Sequence, residues 1–219
     1  MRGHNEDHQT RFYACFAIAI AAVMAIAYAE NLFTLFIFYE VLSLCTYPLV
    51  THAGTEKAKK GGRVYLGILM GTSIAFFLPA IIITWLVAGT LDFQQGGIFP
   101  EQTPIALLSL LLVLFVFGVA KAAVMPFHRW LPAAMVAPTP VSALLHAVAV
   151  VKAGVFSLIK ILVFIFGLDT LQQIPVSDYL LYLAGAGVVL ASLIAMRQDN
   201  LKARLAYSTI SQLGYITVG

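Results

Sequence analysis

The sequence predicts an all-α, polytopic membrane helix bundle of about seven spans with one broken helix, and three observations predict it. Of the 219 residues, 61% are hydrophobic and 11% charged, where a soluble domain carries about 25% charged residues. Apolar runs long enough to cross a bilayer, which takes about 20 residues at roughly 1.5 Å rise each, recur along the whole chain. The lysines and arginines outside those runs fall in alternate loops, as membrane topology requires.

In chain order, residues 1–11 (MRGHNEDHQTR) read as a polar lead without the features of a cleavable signal peptide. Phe12 to Ala29 is the first span, Glu30-Asn31 a tight turn, and Leu32 to Val50 the second span. The glycines of TEKAKKGGR, residues 55–63, predict a basic loop. Val64 to Ala88 is the third span, kinked at Pro79. Residues 89–104 form a loop with no Lys or Arg. The fourth span starts at Ile105 and is cut at Pro126. The piece after the cut, Phe127 to Ala137, is too short to cross alone and is expected to continue within the membrane. Pro138 and Pro140 separate it from the fifth span, Val141 to Phe166. Residues 167–178 again lack basic residues. Tyr179 to Met196 is the sixth span, RQDNLKAR (197–204) a basic loop, and Leu205 to Gly219 begins a seventh that stops inside an apolar run, as a partial chain would. With alternating spans, Arg2, Arg11, Lys57, Lys59, Lys60, Arg63, Arg197, Lys202 and Arg204 share one side. That asymmetry places residues 1–11, 53–63 and 197–204 in the cytoplasm, beneath a cell (inner) membrane.

Against this background the ionisable residues inside the spans stand out. A charge near the bilayer centre costs roughly 2.5 kcal/mol or more, so such residues mark ion pathways more often than packing. Glu40 sits near the middle of its span, in FIFYEVLSLC. It reads as a pathway carboxylate or as a protonated acid bonded to a neighbouring helix. Lys121 lies five residues before Pro126, where the missing proline N–H frees a carbonyl near Ala122. Broken helices at membrane depth survive only where protein or water covers the freed groups, which suits proton exchange at Lys121; the competing reading is a lysine snorkelling to the cytoplasmic end. Lys152 stands midway along its span, too deep to snorkel easily, with His146 six residues earlier. Lys160 is either a pathway member or a snorkelling anchor. His128, beside Arg129 after the break, either shuttles protons or bonds freed carbonyls.

Other residues carry less. Trp85 and Trp130 read as membrane-interface anchors. Asp199, Lys202 and Arg204 read as an ordinary charged loop. Gly67, Gly71, Gly154, Gly185 and Gly187 read as close helix-packing positions. Cys15 and Cys45 belong to no metal-ligand or disulfide pattern. The scattered basic residues form no nucleic-acid stripe. With no dinucleotide fingerprint and no cluster-binding cysteines, this chain is expected to hold no cofactor and to do no redox chemistry itself.

Three stretches, FTLFIFYEVLSLCTYPLV, KAAVMPFHRWLPAAMVAPTPVSALLHAVAVVKAG and DNLKARLAYSTISQLGY, resemble the antiporter-like membrane subunits shared by respiratory complex I and the multi-subunit Mrp-type cation/proton antiporters. The lead MRGHNEDHQTRFYA most resembles the D-type subunit of the Mrp antiporters. The resemblance implies that Glu40 is the acid of a glutamate–lysine pair and that Lys121 is its lysine on a discontinuous helix. It also implies that Lys152 is the central lysine of the next helix and that His146 lies on the proton path. It further implies two inverted five-helix repeats, each with a half-channel: residues 12–166 would form the first, and 167–219 the start of the second. The expected function is a proton-translocating subunit of a sodium/proton antiporter, assembled with other membrane subunits in the lipid bilayer. The alternative is a proton-pumping subunit of an NADH:quinone oxidoreductase or a membrane-bound hydrogenase-type complex.

Overall fold

A computed structural model describes residues 9–219, and the first eight residues of the expected polar lead lie outside them. Seven long helices follow one another: α1 Gln9–Tyr28, α2 Leu32–Val50, α3 Glu56–Ala88, α4 Ile105–Gly118, α5 Thr139–Phe166, α6 Val176–Met196 and α7 Leu201–Val218. Five of them, α1, α2, α3, α5 and α6, are long and apolar enough to cross a membrane. Helix α4 is apolar but has 14 residues. Helix α7 has 18 residues and carries Lys202, Arg204, Ser208, Thr209, Ser211 and Gln212. The chain is a multi-pass membrane protein, all-α as expected.

Several boundaries differ from expectation, each for a local reason. The polar lead does not reach Arg11, because α1 already begins at Gln9. The basic run at 55–63 is the first turns of α3 rather than a loop. Thr55 caps it by accepting the Ala58 N–H at 3.2 Å, and Lys59 pairs with Glu56 at 3.0 Å. Its glycines are packing sites: a Cβ on Gly61 would lie 2.6 Å from the Ala133 carbonyl oxygen, and one on Gly62 would collide with the Thr51 side chain. Gly154 meets the same need for close approach, whereas Gly67, Gly71 and Gly185 face open space. Before Pro79, α3 widens into a π-turn at Ser73–Phe77, the usual response where the backbone ladder is interrupted. Asn200 caps α7 by accepting from the Lys202 and Ala203 N–H groups, so that helix starts four residues before the expected Leu205.

The break also starts earlier than Pro126. Helix α4 ends at Gly118, where a Cβ would lie 2.6 Å from the Phe77 backbone nitrogen. The chain then makes a 3-10 turn at Ala120–Ala122, a left-handed residue at Ala123 (φ 57°) and a cis Met125-Pro126 bond. Short helical turns at Phe127–Arg129, Trp130–Ala133 and Ala134–Val136 lead into α5. Trp130, Leu131 and Ala134 of this piece are fully buried in the bundle. The piece lies against Gly61 in the first turns of α3, beside the basic end of the bundle.

At the opposite end, the loop 89–98 is stitched across two helix ends. Leu32 N–H donates to Leu91 O (2.9 Å), Phe93 N–H to Glu30 O (3.1 Å) and Ile98 N–H to Ile165 O (3.0 Å). These bonds satisfy backbone groups that a helix terminus leaves over.

Candidate site at the broken helix

Lys121 is fully buried, in the break itself. Its depth follows from its neighbours. Tyr39 lies along α2 about 10 Å from Leu32 and about 16 Å from Val50 at the helical rise. Gly154, against which the Lys121 carbonyl and the Ala122 nitrogen pack directly, is near the middle of α5. Snorkelling is therefore excluded for Lys121: its ammonium bonds inside the bundle. It donates to the Tyr39 carbonyl at 2.8 Å and to Ser43 Oγ at 2.6 Å, and lies 3.1 Å from the centre of the Tyr39 ring. Tyr39 and Ser43 are four residues apart, one above the other on the same face of α2.

Side chains also hold the backbone on both sides of this lysine. The Lys121 N–H donates to the Tyr39 phenol oxygen at 3.1 Å, and Trp130 Nε1–H donates to the Ala120 carbonyl at 2.9 Å. Trp130 is thus fully buried rather than an interface anchor. Its ring meets Tyr65 edge-on at 5.6 Å, and the Tyr65 hydroxyl shares a 2.6 Å bond with Thr46.

Glu40 follows Tyr39 and points elsewhere. Both of its carboxylate oxygens are buried without a hydrogen-bond partner, and among the described residues it has no cation within ion-pair distance. It is the next residue after Tyr39, whose carbonyl and ring hold the Lys121 ammonium. Buried polar atoms are nearly always bonded, so an unpartnered carboxylate beside a lysine held by neutral groups is an unusual arrangement. Among the described residues, Glu40 and Lys121 thus both adjoin Tyr39 without an ion pair between them.

His146 and Lys152 line a cleft of about 570 Å³ between α5 and α7. Both ring nitrogens of His146 are buried without partners, in a π-turn of α5 at Leu144–Val148. Thr139, Ser142, Ser208, Thr209, Gln212 and Lys202 add polar groups to the same cleft. Lys202 Nζ donates to the Ala137 carbonyl at 3.0 Å, tying the start of α7 to the piece after the break. Lys202 is a member of the cleft that reads in the sequence as plain loop charge. The available signal is its position just inside an Asn-capped helix start, where a cation opposes the helix dipole and needs a tertiary partner.

His128 sits after the break with its Nδ1 buried and unpartnered and its ring 6.2 Å from that of Tyr207. Lys160 is not brought to this group. Its ammonium donates to Ala29 O at 2.6 Å and lies 4.6 Å from the Phe93 ring, at the loop-covered end of the bundle. Among the described residues, no group of three or more His, Cys, Asp or Glu side chains could hold a metal ion.

A discontinuous helix with a buried lysine at its centre, flanked by an acid and an amphipathic cleft, defines a class of multi-pass membrane protein. Residues 29–219 match the family described as NADH:quinone oxidoreductase/Mrp antiporter, transmembrane, and the chain belongs to that family. It is 35% identical over 219 residues to the probable K(+)/H(+) antiporter A/B subunit of Rhizobium meliloti, covering 97% of this chain and 21% of that one. It is 33% identical over 223 residues to the chloroplastic NAD(P)H-quinone oxidoreductase subunit 5 of Zygnema circumcarinatum, covering 97% of this chain and 30% of that one. Among solved structures it is similar to a chain of the Mrp complex of a Dietzia species (TM-score 0.85, 32% identity, 95% of this chain and 22% of that one). It is also similar to a chain of the membrane-bound sulfane sulfur reductase, an archaeal respiratory membrane complex (TM-score 0.82, 28% identity, 93% and 42%). The chain thus spans between about a fifth and two fifths of these relatives. The two curated relatives named are an A/B subunit and an oxidoreductase subunit 5; the likeness to the D type is an expectation from the sequence.

Proposed function

We propose that this chain forms a proton half-channel in a multi-subunit membrane complex that exchanges protons for sodium or another monovalent cation. The observation that carries this reading is Lys121, buried at mid-depth in a broken helix and held by uncharged groups beside an unpartnered carboxylate. Opposite charges about 4 Å apart interact by roughly 4 kcal/mol at an effective dielectric of 20. Closing or opening the Glu40–Lys121 pair is therefore enough to decide whether the lysine keeps its proton. Closed, the pair retains it; open, the proton passes toward His146 and Lys152 in the cleft. In this reading residues 12–166 act as the first repeat, and His128 serves the cytoplasmic end of the path.

The test is proton flux in vesicles holding the assembled complex. Lys121→Ala and Lys152→Ala should each abolish flux while the complex still assembles; unchanged flux in either removes that lysine from the path. A second reading, a proton-pumping subunit of a redox complex, is favoured by the similarity to an oxidoreductase subunit 5 and to a respiratory complex. Flux driven by a sodium gradient without an electron donor supports the antiporter; flux that appears only with a donor supports the redox complex.

A further inference from the structure

Tyr39 touches Lys121 through three of its own groups. Its phenol oxygen accepts the Lys121 N–H, its main-chain carbonyl accepts the ammonium, and its ring face lies 3.1 Å beneath that ammonium. The ring is fully buried and is held edge-on by Phe77 at 5.4 Å. Phe77 belongs to the π-turn of α3 and packs in turn against Phe36 at 5.4 Å and Phe115 at 6.0 Å. The aromatic face is thus fixed in one orientation by residues of three helices. A cation over a desolvated ring face is attracted by the ring's negative quadrupole. Ser43, one turn further along α2, supplies a neutral hydroxyl for the same ammonium. Glu40, the next residue along α2, has both carboxyl oxygens buried without a hydrogen-bond partner.

We propose that Tyr39 is the positioning residue of Lys121: its ring face and main-chain carbonyl form a neutral resting station that keeps the ammonium off Glu40. This role rests on the proton-path reading above. It makes the ring, and not the acid alone, the element that sets how often the glutamate–lysine pair opens. Weakening the ring lets Lys121 settle on Glu40 and slows each cycle.

The experiment uses the full-length protein in its assembled complex, with proton flux measured in vesicles. Tyr39→Phe and Tyr39→Trp keep a ring under the ammonium; Tyr39→Leu does not. Phenylalanine with one, two or three ring fluorines at position 39 drains the negative face stepwise at nearly constant shape. Flux in the Phe and Trp variants should stay within roughly threefold of the parent, fall about tenfold with Leu, and decline in step with fluorination, as expected for a dry cation–ring contact. A merely structural ring would be indifferent to fluorine count. Flat flux across the fluorinated series, or flux retained in Tyr39→Leu, overturns the positioning role. If the Leu variant fails to assemble, the fluorinated series decides alone. Loss of flux in Lys121→Ala together with a flat fluorine series removes only Tyr39's role. Intact flux in Lys121→Ala removes the path and this role together.

Discussion

At the scale of single residues, the lysines of this bundle divide by what receives their charge. Lys121 has a carbonyl, a hydroxyl and a ring face, all neutral and all internal. Lys152 faces a cleft and makes no hydrogen bond among the described residues, while Lys202 holds a carbonyl across that cleft. Lys160 instead binds the carbonyls that end α1, where a cation is favoured by the helix dipole. Replacing Lys160 with Met should lower thermal stability by about 1–3 kcal/mol, the cost of leaving such a carbonyl unpaired, with flux nearly unchanged. A melting curve and a flux assay on the same preparation check this; abolished flux at unchanged stability would return Lys160 to the path. The charged members were legible in the sequence because a Lys or Glu in an apolar run is conspicuous by its cost. Tyr39 and Ser43 were not. A tyrosine in a span is compatible with core, interface or site, and only the fold shows which atom it offers to which neighbour.

At the scale of elements, the break works because its backbone groups are claimed by side chains from elsewhere. Trp130 holds Ala120 O, Tyr39 holds the Lys121 N–H, and Gly154 of α5 lets the turn approach directly. Gly154→Ala should therefore push α5 from the break, destabilising by about 1–3 kcal/mol as overpacking does, and suppress flux by displacing Lys121. Trp130→Phe, which keeps the ring and removes the donor, should cost about as much as one buried unsatisfied carbonyl, roughly 1–3 kcal/mol. Denaturation of the detergent-solubilised complex measures both, and an unaltered midpoint for either would show the turn to be held by something else. Long helices were readable from apolar run length, and the proline at 126 announced a discontinuity. The exact start of the break was not readable. Gly118 ends α4 because Phe77 of α3 occupies the space its Cβ would need, a contact between residues far apart in the chain. The glycines at 61 and 62 misled for the same reason: in isolation they argue for a loop, and in the bundle they are notches for Ala133 and Thr51.

At the scale of the whole molecule, the two ends differ in kind. One end carries the basic turns of α3 and α7, with the piece after the break docked against them through Gly61 and Lys202. The other is covered by the loop 89–98, whose backbone bonds to Leu32, Glu30 and Ile165 leave it tied down. The cleft of His146 and Lys152 lies between α5 and α7, and its lining includes Lys202, near the start of α7 at the basic end. Lys152 is about 20 Å along α5 from Thr139, so an aqueous route from that face has to run half the bilayer to reach it. The positive-inside rule assigns this face to the cytoplasm. The assignment has a direct consequence for labelling with a membrane-impermeant thiol reagent, in a variant lacking Cys15 and Cys45. Lys59→Cys and Asp199→Cys, both on the basic face, should react from the cytoplasmic side, and Gln94→Cys from the opposite side only. Ser208→Cys and Gln212→Cys, which line the cleft, should follow Lys59 and be protected when His146 or Lys152 is shielded by a bulky neighbour. Reaction of the cleft positions from the Gln94 side would invert the proposed path, because protons would then enter the Lys152 chamber through the end that the loop 89–98 covers.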